Sequence, residues 1–260
     1  MHPEILNAYK TITSAQNSRI KELIKLKQPK YRRESGVFVV ENLAIIYDAL
    51  KDGFDFEALF VTSEFAAKNQ EQLDFLTANS QAGEFYLIDS KTNKAYSDLS
   101  TPSGITALYK IKINSLSKKS VVYLAGVNDP GNLGTIMRNA LAFGLENLVL
   151  SKECADPFSA KTISAAKDAI FKLNIFEDRV GDWLEKCALP IYATSSHEGR
   201  DLKKFQAAEK FCLVLGSESQ GVPAEILQSA DEKIKIVISK KIESLNVAAA
   251  AAILFYELQK

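Results

Sequence analysis

The sequence predicts an α/β protein whose C-terminal half is a largely parallel sheet with helices on both sides, preceded by a smaller α/β unit. Three observations predict it. Short runs rich in Val, Ile, Leu and Phe alternate with longer amphipathic stretches along most of the chain, the order expected of a parallel sheet with crossover helices. The run VVYLAGV, 121–127, is almost continuously apolar, as in a strand covered on both faces. A polar stretch, KINSLSKKS, separates the two halves at 112–120. The expected division is a first domain over 1–111, a linker over 112–119 and a second domain over 120–260.

The elements follow in order. SAQNSRIKELIKLKQPKYRR, 14–33, reads as one helix with Ser14 as its cap and Ile20, Leu23, Ile24 and Leu26 as its apolar face. Its charges are Arg19, Lys21, Lys25, Lys27, Lys30, Arg32 and Arg33 against Glu22 alone. Such a cluster is either a solvated helix face or a phosphate-contacting surface, and both readings stand at this point. GVFVVE, EALFVTS, EFYLIDS and TPSGITALYKI read as strands, and NLAIIYDALKDG, 69–79 and SKTNKAYSDLS as helices between them. In the second half, ENLVLSK, PIYATSS, FCLVLGS and DEKIKIVIS join VVYLAGV as strands. SAKTISAAKDAIF and the closing VAAAAAILFYELQK read as helices.

Composition narrows the function class. The 32 Lys and Arg balance 32 Asp and Glu, so no overall positive field announces a polyanionic partner, and nucleic-acid binding needs a local patch. The three cysteines, Cys154, Cys187 and Cys212, match neither a zinc motif nor a disulfide framework and read as reduced thiols. MHPEILNAYK lacks the basic-then-apolar order of a secretory signal, and the longest apolar segment, VAAAAAILFY, is too short to span a bilayer. These features lead us to expect a cytoplasmic protein with no membrane association.

Three segments carry chemistry. In DPGNLGTIMR, 129–138, a turn leads into a helix expected over 136–143 with Asn132 or Thr135 as cap. Arg138 then falls near the helix N-terminus, where the dipole disfavours a cation, so it is a functional candidate or a plain surface arginine. In LVLGSESQGVP, 213–223, an apolar strand ends in a glycine-framed polar loop, the place where parallel sheets bind ligands. Glu218 there is either a ligand-orienting group or a solvated turn residue. In ESLNVAAAAA, 243–252, Ser244 and Asn246 precede an alanine-rich helix, where capping is the simpler role for both. The dinucleotide fingerprint and the phosphate-cradling Gly-Lys-Ser/Thr motif are both missing from the sequence.

Taken in this order, NLGTIMR followed by FG, LGSESQG and ESLNVAAAAA resemble the SpoU/TrmH class of SPOUT methyltransferases. The resemblance covers about residues 120–260. A looser likeness, in SRIKELIKLKQPKYRRESGVFVVEN and TPSGITA, links the N-terminal half to the small, ribosomal-protein-like RNA substrate-binding domain that precedes many of these enzymes.

The resemblance implies a Rossmann-like sheet with a deep trefoil knot, binding S-adenosylmethionine without any metal, in an obligate homodimer formed through the C-terminal domain. It implies transfer of the methyl group to a ribose 2′-hydroxyl of structured RNA, with ribosomal RNA ranked ahead of transfer RNA. By position, Arg138 is the activator of the hydroxyl, while Asn132, Glu218, Ser244 and Asn246 position arginine, substrate and cofactor. Cofactor contacts fall at Thr194, Leu215, Gly216, Ile236, Ile238 and Leu245, and RNA contacts at Arg19, Lys25, Lys27, Lys30, Arg32 and Arg33. The cofactor loop departs from the family pattern: Val237 replaces a proline, and Lys240 brings a positive charge toward a cationic ligand. The alternative that follows is a non-catalytic RNA-binding relative with impaired cofactor binding.

Overall fold

The computed structural model describes residues 9–81, 83–112 and 115–259. Its chain forms two compact units, one of residues up to Lys112 together with Phe158–Ser164, the other of Ile113–Pro157 and Ala165–Lys260. Of the stretch expected as a linker, 113 and 114 lie outside the described residues. Farther along it, Ser117 donates its backbone N–H to the Asn147 Oδ1 at 2.9 Å.

The N-terminal part runs β1 (Lys10–Ile12), α1 (Ser18–Lys25), α2 (Pro29–Ser35), β2 (Val37–Val40), α3 (Leu43–Lys51), β3 (Ala58–Thr62), α4 (Ser63–Lys68), α5 (Gln70–Asn79), β4 (Glu84–Ile88), α6 (Ser90–Tyr96) and β5 (Ile105–Lys110). The strands form one mixed sheet in the order β1-β4-β3-β5-β2, in which β5 runs antiparallel to both neighbours. Ile20, Leu23 and Leu26 pack into one core with Phe60, Tyr86 and Leu108, so the apolar face expected for the first helix is buried.

The single helix expected over 14–33 is two. Asn17, not Ser14, caps α1 by accepting from the Arg19 N–H, and Pro29, which cannot continue a helix, occupies the first turn of α2. The break turns Arg32 inward. It is 4 % exposed, and its guanidinium donates to the Leu26 and Lys27 carbonyls at 2.5 and 3.0 Å, satisfying the open end of α1. Arg32 is therefore removed from the expected surface cluster: its guanidinium is buried against backbone carbonyls and is not presented to a phosphate at the surface.

The remainder runs β6 (Val121–Ala125), α7 (Pro130–Ala142), β7 (Asn147–Ser151), α8 (Ala160–Ala166), α9 (Ala169–Lys172), β8 (Asn174–Asp178), β9 (Ile191–Thr194), β10 (Arg200–Asp201), β11 (Cys212–Gly216), α10 (Ala224–Ser229), β12 (Glu232–Lys235) and α11 (Val247–Leu258). Seven strands, all parallel, lie in the order β10-β12-β9-β11-β6-β7-β8. Every residue of β6 and β11 is buried, which accounts for their near-continuous apolar sequence. Each fully buried side chain among them, such as Leu124 and Leu213, stabilises the fold by roughly 1.5–3 kcal/mol.

Three local expectations change. The helix expected through 159–171 breaks at Lys167, whose φ of 58° is left-handed, and Asp168 beyond the break pairs with Lys172 at 2.7 Å. The strand expected over 231–239 stops at Lys235, which leaves Ile236 and Ile238 free of the sheet. The short strands β1, β8 and β10 and the helices α4 and α10 were not expected.

Candidate active site

The site is built at the carboxyl ends of β9, β11 and β12, where the strands hand over to loops. The first segment is anchored by Asp129, which caps α7 by accepting from the Asn132 N–H at 2.7 Å, with Pro130 opening the helix. α7 thus starts six residues earlier than expected, and Arg138 sits at its ninth position rather than near its N-terminus. The unfavourable dipole expected for Arg138 is therefore absent.

Asn132, in the first turn of α7, joins the three segments. The order of its hydrogen bonds is dictated from both ends. Asn246 caps α11, its Oδ1 accepting from the Ala248 and Ala249 N–H groups at 2.9 and 3.3 Å, so its Nδ2 is turned away from the helix. That Nδ2 donates to the Asn132 Oδ1 at 3.0 Å. The Asn132 Nδ2 in turn donates to the Glu218 Oε1, and an ionised carboxylate only accepts. Capping and linking are therefore both roles of Asn246. Asn139, which sequence reasoning missed, adds a second tie between α7 and α11 through the Ala248 carbonyl at 3.3 Å. Ala248 and Ala251 are 4 % and 0 % exposed, as close packing of the alanine-rich helix requires.

The second segment turns sharply after β11. The Gly221 N–H donates to the Ser217 carbonyl at 2.9 Å, and Gly221 has a left-handed φ of 68°. Gly216 is fixed by crowding: a Cβ there would lie 1.9 Å from the Gly221 carbonyl carbon and 2.1 Å from the Val222 nitrogen, both backbone atoms.

Beside this turn lies a cavity of about 340 Å³, within the range of small-molecule sites. All six residues expected at the cofactor, Thr194, Leu215, Gly216, Ile236, Ile238 and Leu245, line it, as do Glu218 and Ser244. The Thr194 hydroxyl is held by the Val214 carbonyl at 3.0 Å. Ile236 and Ile238 reach the cavity because β12 ends before them. His197 and Glu243, not foreseen, also line it; Glu243 is the first residue of the third segment. Asn132, Asn246 and Arg138 do not line the cavity. Arg138 is exposed and, among the described residues, its side chain makes no hydrogen bond or ion pair. Val237 is 64 % exposed, Lys240 is exposed too, and neither lines the cavity.

The profile of the SpoU rRNA Methylase family matches residues 119–256, which contain all three segments and the cavity. The chain belongs to this family. The profile of the MRM3-like substrate binding domain matches residues 17–107. Among curated SpoU-type relatives, 23S rRNA (guanosine(2553)-2′-O)-methyltransferase RlmP of Bacillus subtilis is 29 % identical over 255 residues, spanning 96 % of this chain and 99 % of the relative. The mitochondrial rRNA methyltransferase 3 of Homo sapiens is 25 % identical, spanning 89 % of this chain and 69 % of the relative. The crystal structure of AdoMet-bound rRNA methyltransferase from Sinorhizobium meliloti superposes with a TM-score of 0.81 at 26 % identity, covering 96 % of this chain and 97 % of that one.

Of the residues expected to meet RNA, Lys25, Lys30 and Arg33 are exposed. Arg19 pairs with Glu22 and Glu84 at 3.2 and 2.5 Å, and Lys27 bonds the Ser97 carbonyl at 3.0 Å and pairs with Asp98 at 3.5 Å. Glu84, between Arg19, Lys10 and the Tyr86 hydroxyl, is held down to a pKa of about 2, chiefly by the Tyr86 hydrogen bond.

Proposed function

We propose that this SpoU-family chain transfers a methyl group from S-adenosylmethionine to a ribose 2′-hydroxyl of structured RNA, with ribosomal RNA as the substrate class. The observation that carries the reading is the Asn246–Asn132–Glu218 chain of hydrogen bonds, which ties three distant segments together beside a cavity lined by every residue expected at the cofactor. The residues fit the cofactor. Leu215, Ile236, Ile238 and Leu245 offer apolar surface for a purine, and the Gly216–Gly221 turn brings bare backbone to the cavity wall. S-adenosylmethionine supplies a methyl group on a good leaving group; the chain's residues supply position and proton handling.

In this reading Arg138 activates the hydroxyl. An arginine keeps its proton at ordinary pH, so its work is to lower the hydroxyl's pKa while an RNA phosphate takes the hydroxyl proton. Asn132 holds Glu218 and Asn246 in register, and Ser244 faces the cavity. Because Arg138 does not line the cavity of its own chain, the reading includes a homodimer in which a second copy supplies it. The exposed apolar groups of the C-terminal unit support such an interface: Ile253 and Tyr256 on α11, and Val237 and Ile242 before it, are 40 %, 57 %, 64 % and 52 % exposed. A trefoil knot also belongs to this reading. It is supported by the placing of β11 between β9 and β6 while β12 lies beyond β9, and by the backbone crowding at Gly216.

The first unit is the RNA-binding half in this reading, with Lys25, Lys30 and Arg33 among its exposed cations. No helix among the described residues is long and apolar enough to cross a membrane. The cytoplasm, where ribosomal RNA is at hand, is the compartment that suits the reaction.

Calorimetry tests the cofactor half directly. S-adenosylmethionine is expected to bind the full chain with or without RNA; no binding even with ribosomal RNA present contradicts the enzyme reading and favours a non-catalytic RNA-binding relative.

A further inference from the structure

We propose that Glu243 gives the cavity a charge preference, holding the cationic methyl donor more tightly than the neutral product left after transfer. The inference rests on the reading that this cavity takes S-adenosylmethionine. Two carboxylates, Glu218 and Glu243, line the cavity, and no Lys or Arg does so among the described residues; His197 is the one basic side-chain type there. Glu218 is already engaged by Asn132. Glu243 is exposed toward solvent and, among the described residues, makes no hydrogen bond or ion pair, so its charge is uncompensated. Lys240 and Lys241, close in sequence, do not line the cavity.

The chemistry of the ligand pair supplies the rest. S-adenosylmethionine carries a sulfonium and an ammonium against one carboxylate, hence one net positive charge. On transfer the S–CH3 bond breaks, its electron pair stays on sulfur, the methyl bonds to the ribose oxygen, and the hydroxyl proton goes to an RNA phosphate. The resulting thioether has no net charge. A carboxylate in the cavity wall attracts the donor and is indifferent to the product, so it favours loading and release in the same step.

The test is calorimetry on the full chain with S-adenosylmethionine, S-adenosylhomocysteine and the amine analogue sinefungin. Glu243→Gln is expected to weaken the two cationic ligands about 2- to 5-fold, the scale of a solvent-screened ion pair, and to leave S-adenosylhomocysteine unchanged. Glu243→Asp, which keeps the charge, is expected to retain most of the preference. In high salt the wild-type preference shrinks toward that of Glu243→Gln. Equal weakening of all three ligands, which is the signature of lost packing, or no change in any of them overturns the proposal. A wild-type chain that binds none of the three with RNA present overturns the cofactor reading itself, and this inference with it.

Discussion

Asn246 donates its Nδ2 to the Asn132 Oδ1 at 3.0 Å across 114 residues of sequence, while its own Oδ1 caps α11. One side chain thus does two separable things. Asn246→Ala loses both and is expected to cost about 1 kcal/mol of stability, the ordinary value of an N-cap, together with methyl transfer. Asn246→Asp keeps a capping oxygen and removes the donor to Asn132, so it is expected to melt near the wild-type temperature and still lose activity. Thermal melts beside a methyl-transfer assay separate the roles; full activity in Asn246→Asp removes the link to Asn132 from the account.

Gly216 is expected to tolerate no side chain. Its Cβ would meet the backbone of Gly221 and Val222 at about 2 Å, so Gly216→Ala must displace main chain rather than a flexible tip. The expected result is a loss of roughly 1–3 kcal/mol in a denaturant titration, with cofactor binding lost as the turn shifts. Gly144 has open space around it but a left-handed φ of 74°, so Gly144→Ala is expected to cost roughly 1–2 kcal/mol while sparing the cavity, and serves as the control for cofactor binding.

The basic helices divide into surface and core. Charge reversal at Lys25, Lys30 and Arg33 is expected to weaken RNA binding and to flatten its dependence on log salt by roughly 0.7–0.9 per lost contact. Arg32→Ala is expected instead to destabilise the first unit by roughly 2–3 kcal/mol, because it leaves the Leu26 and Lys27 carbonyls without their charged donor. Filter binding across salt concentrations and thermal melts distinguish the two patterns. An unchanged salt slope after triple reversal makes that face a solvated one.

Much of this molecule was readable in the sequence, and the exceptions have physical causes. The alternation of apolar runs exposed both sheets, and the three segments contained every residue of the Asn132 chain and most of the cavity wall. Charge pattern does not reveal which cation folds inward, so Arg32 was placed on the surface although Pro29, three residues earlier, already signalled the break. Pro130 likewise marked the first turn of α7 and hence Asp129 as its cap. The short edge strands β8 and β10 carry little apolar patterning: β10 is Arg200 and Asp201 alone, and the one buried residue of β8 is the polar Asp178. Glu243 drew no notice because a free carboxylate becomes a cavity residue only when loops 194–197, 216–222 and 236–245 converge.

The thiols offer a pH-dependent prediction. Cys187 packs against the core cluster that contains Cys212, and the hydrogen bond from Cys212 lowers the Cys187 pKa while raising that of the buried Cys212. Alkylation requires the thiolate, so Cys187 is expected to react at lower pH than an ordinary cysteine, and Cys212→Ala to move its rate profile upward. Mass spectrometry after iodoacetamide pulses across pH reads both. A Cys187 profile indifferent to Cys212→Ala contradicts the thiol–thiol contact.

The central claim, methyl transfer to a ribose hydroxyl with Arg138 as activator, is tested by incubating the chain with S-adenosylmethionine bearing a labelled methyl group and unmodified ribosomal RNA, then digesting the RNA to nucleosides. The expected product is a labelled 2′-O-methylnucleoside, reduced on the order of 10²–10⁴-fold in Arg138→Ala while RNA binding persists. A label on a base, no label at all, or an undiminished yield from Arg138→Ala contradicts it.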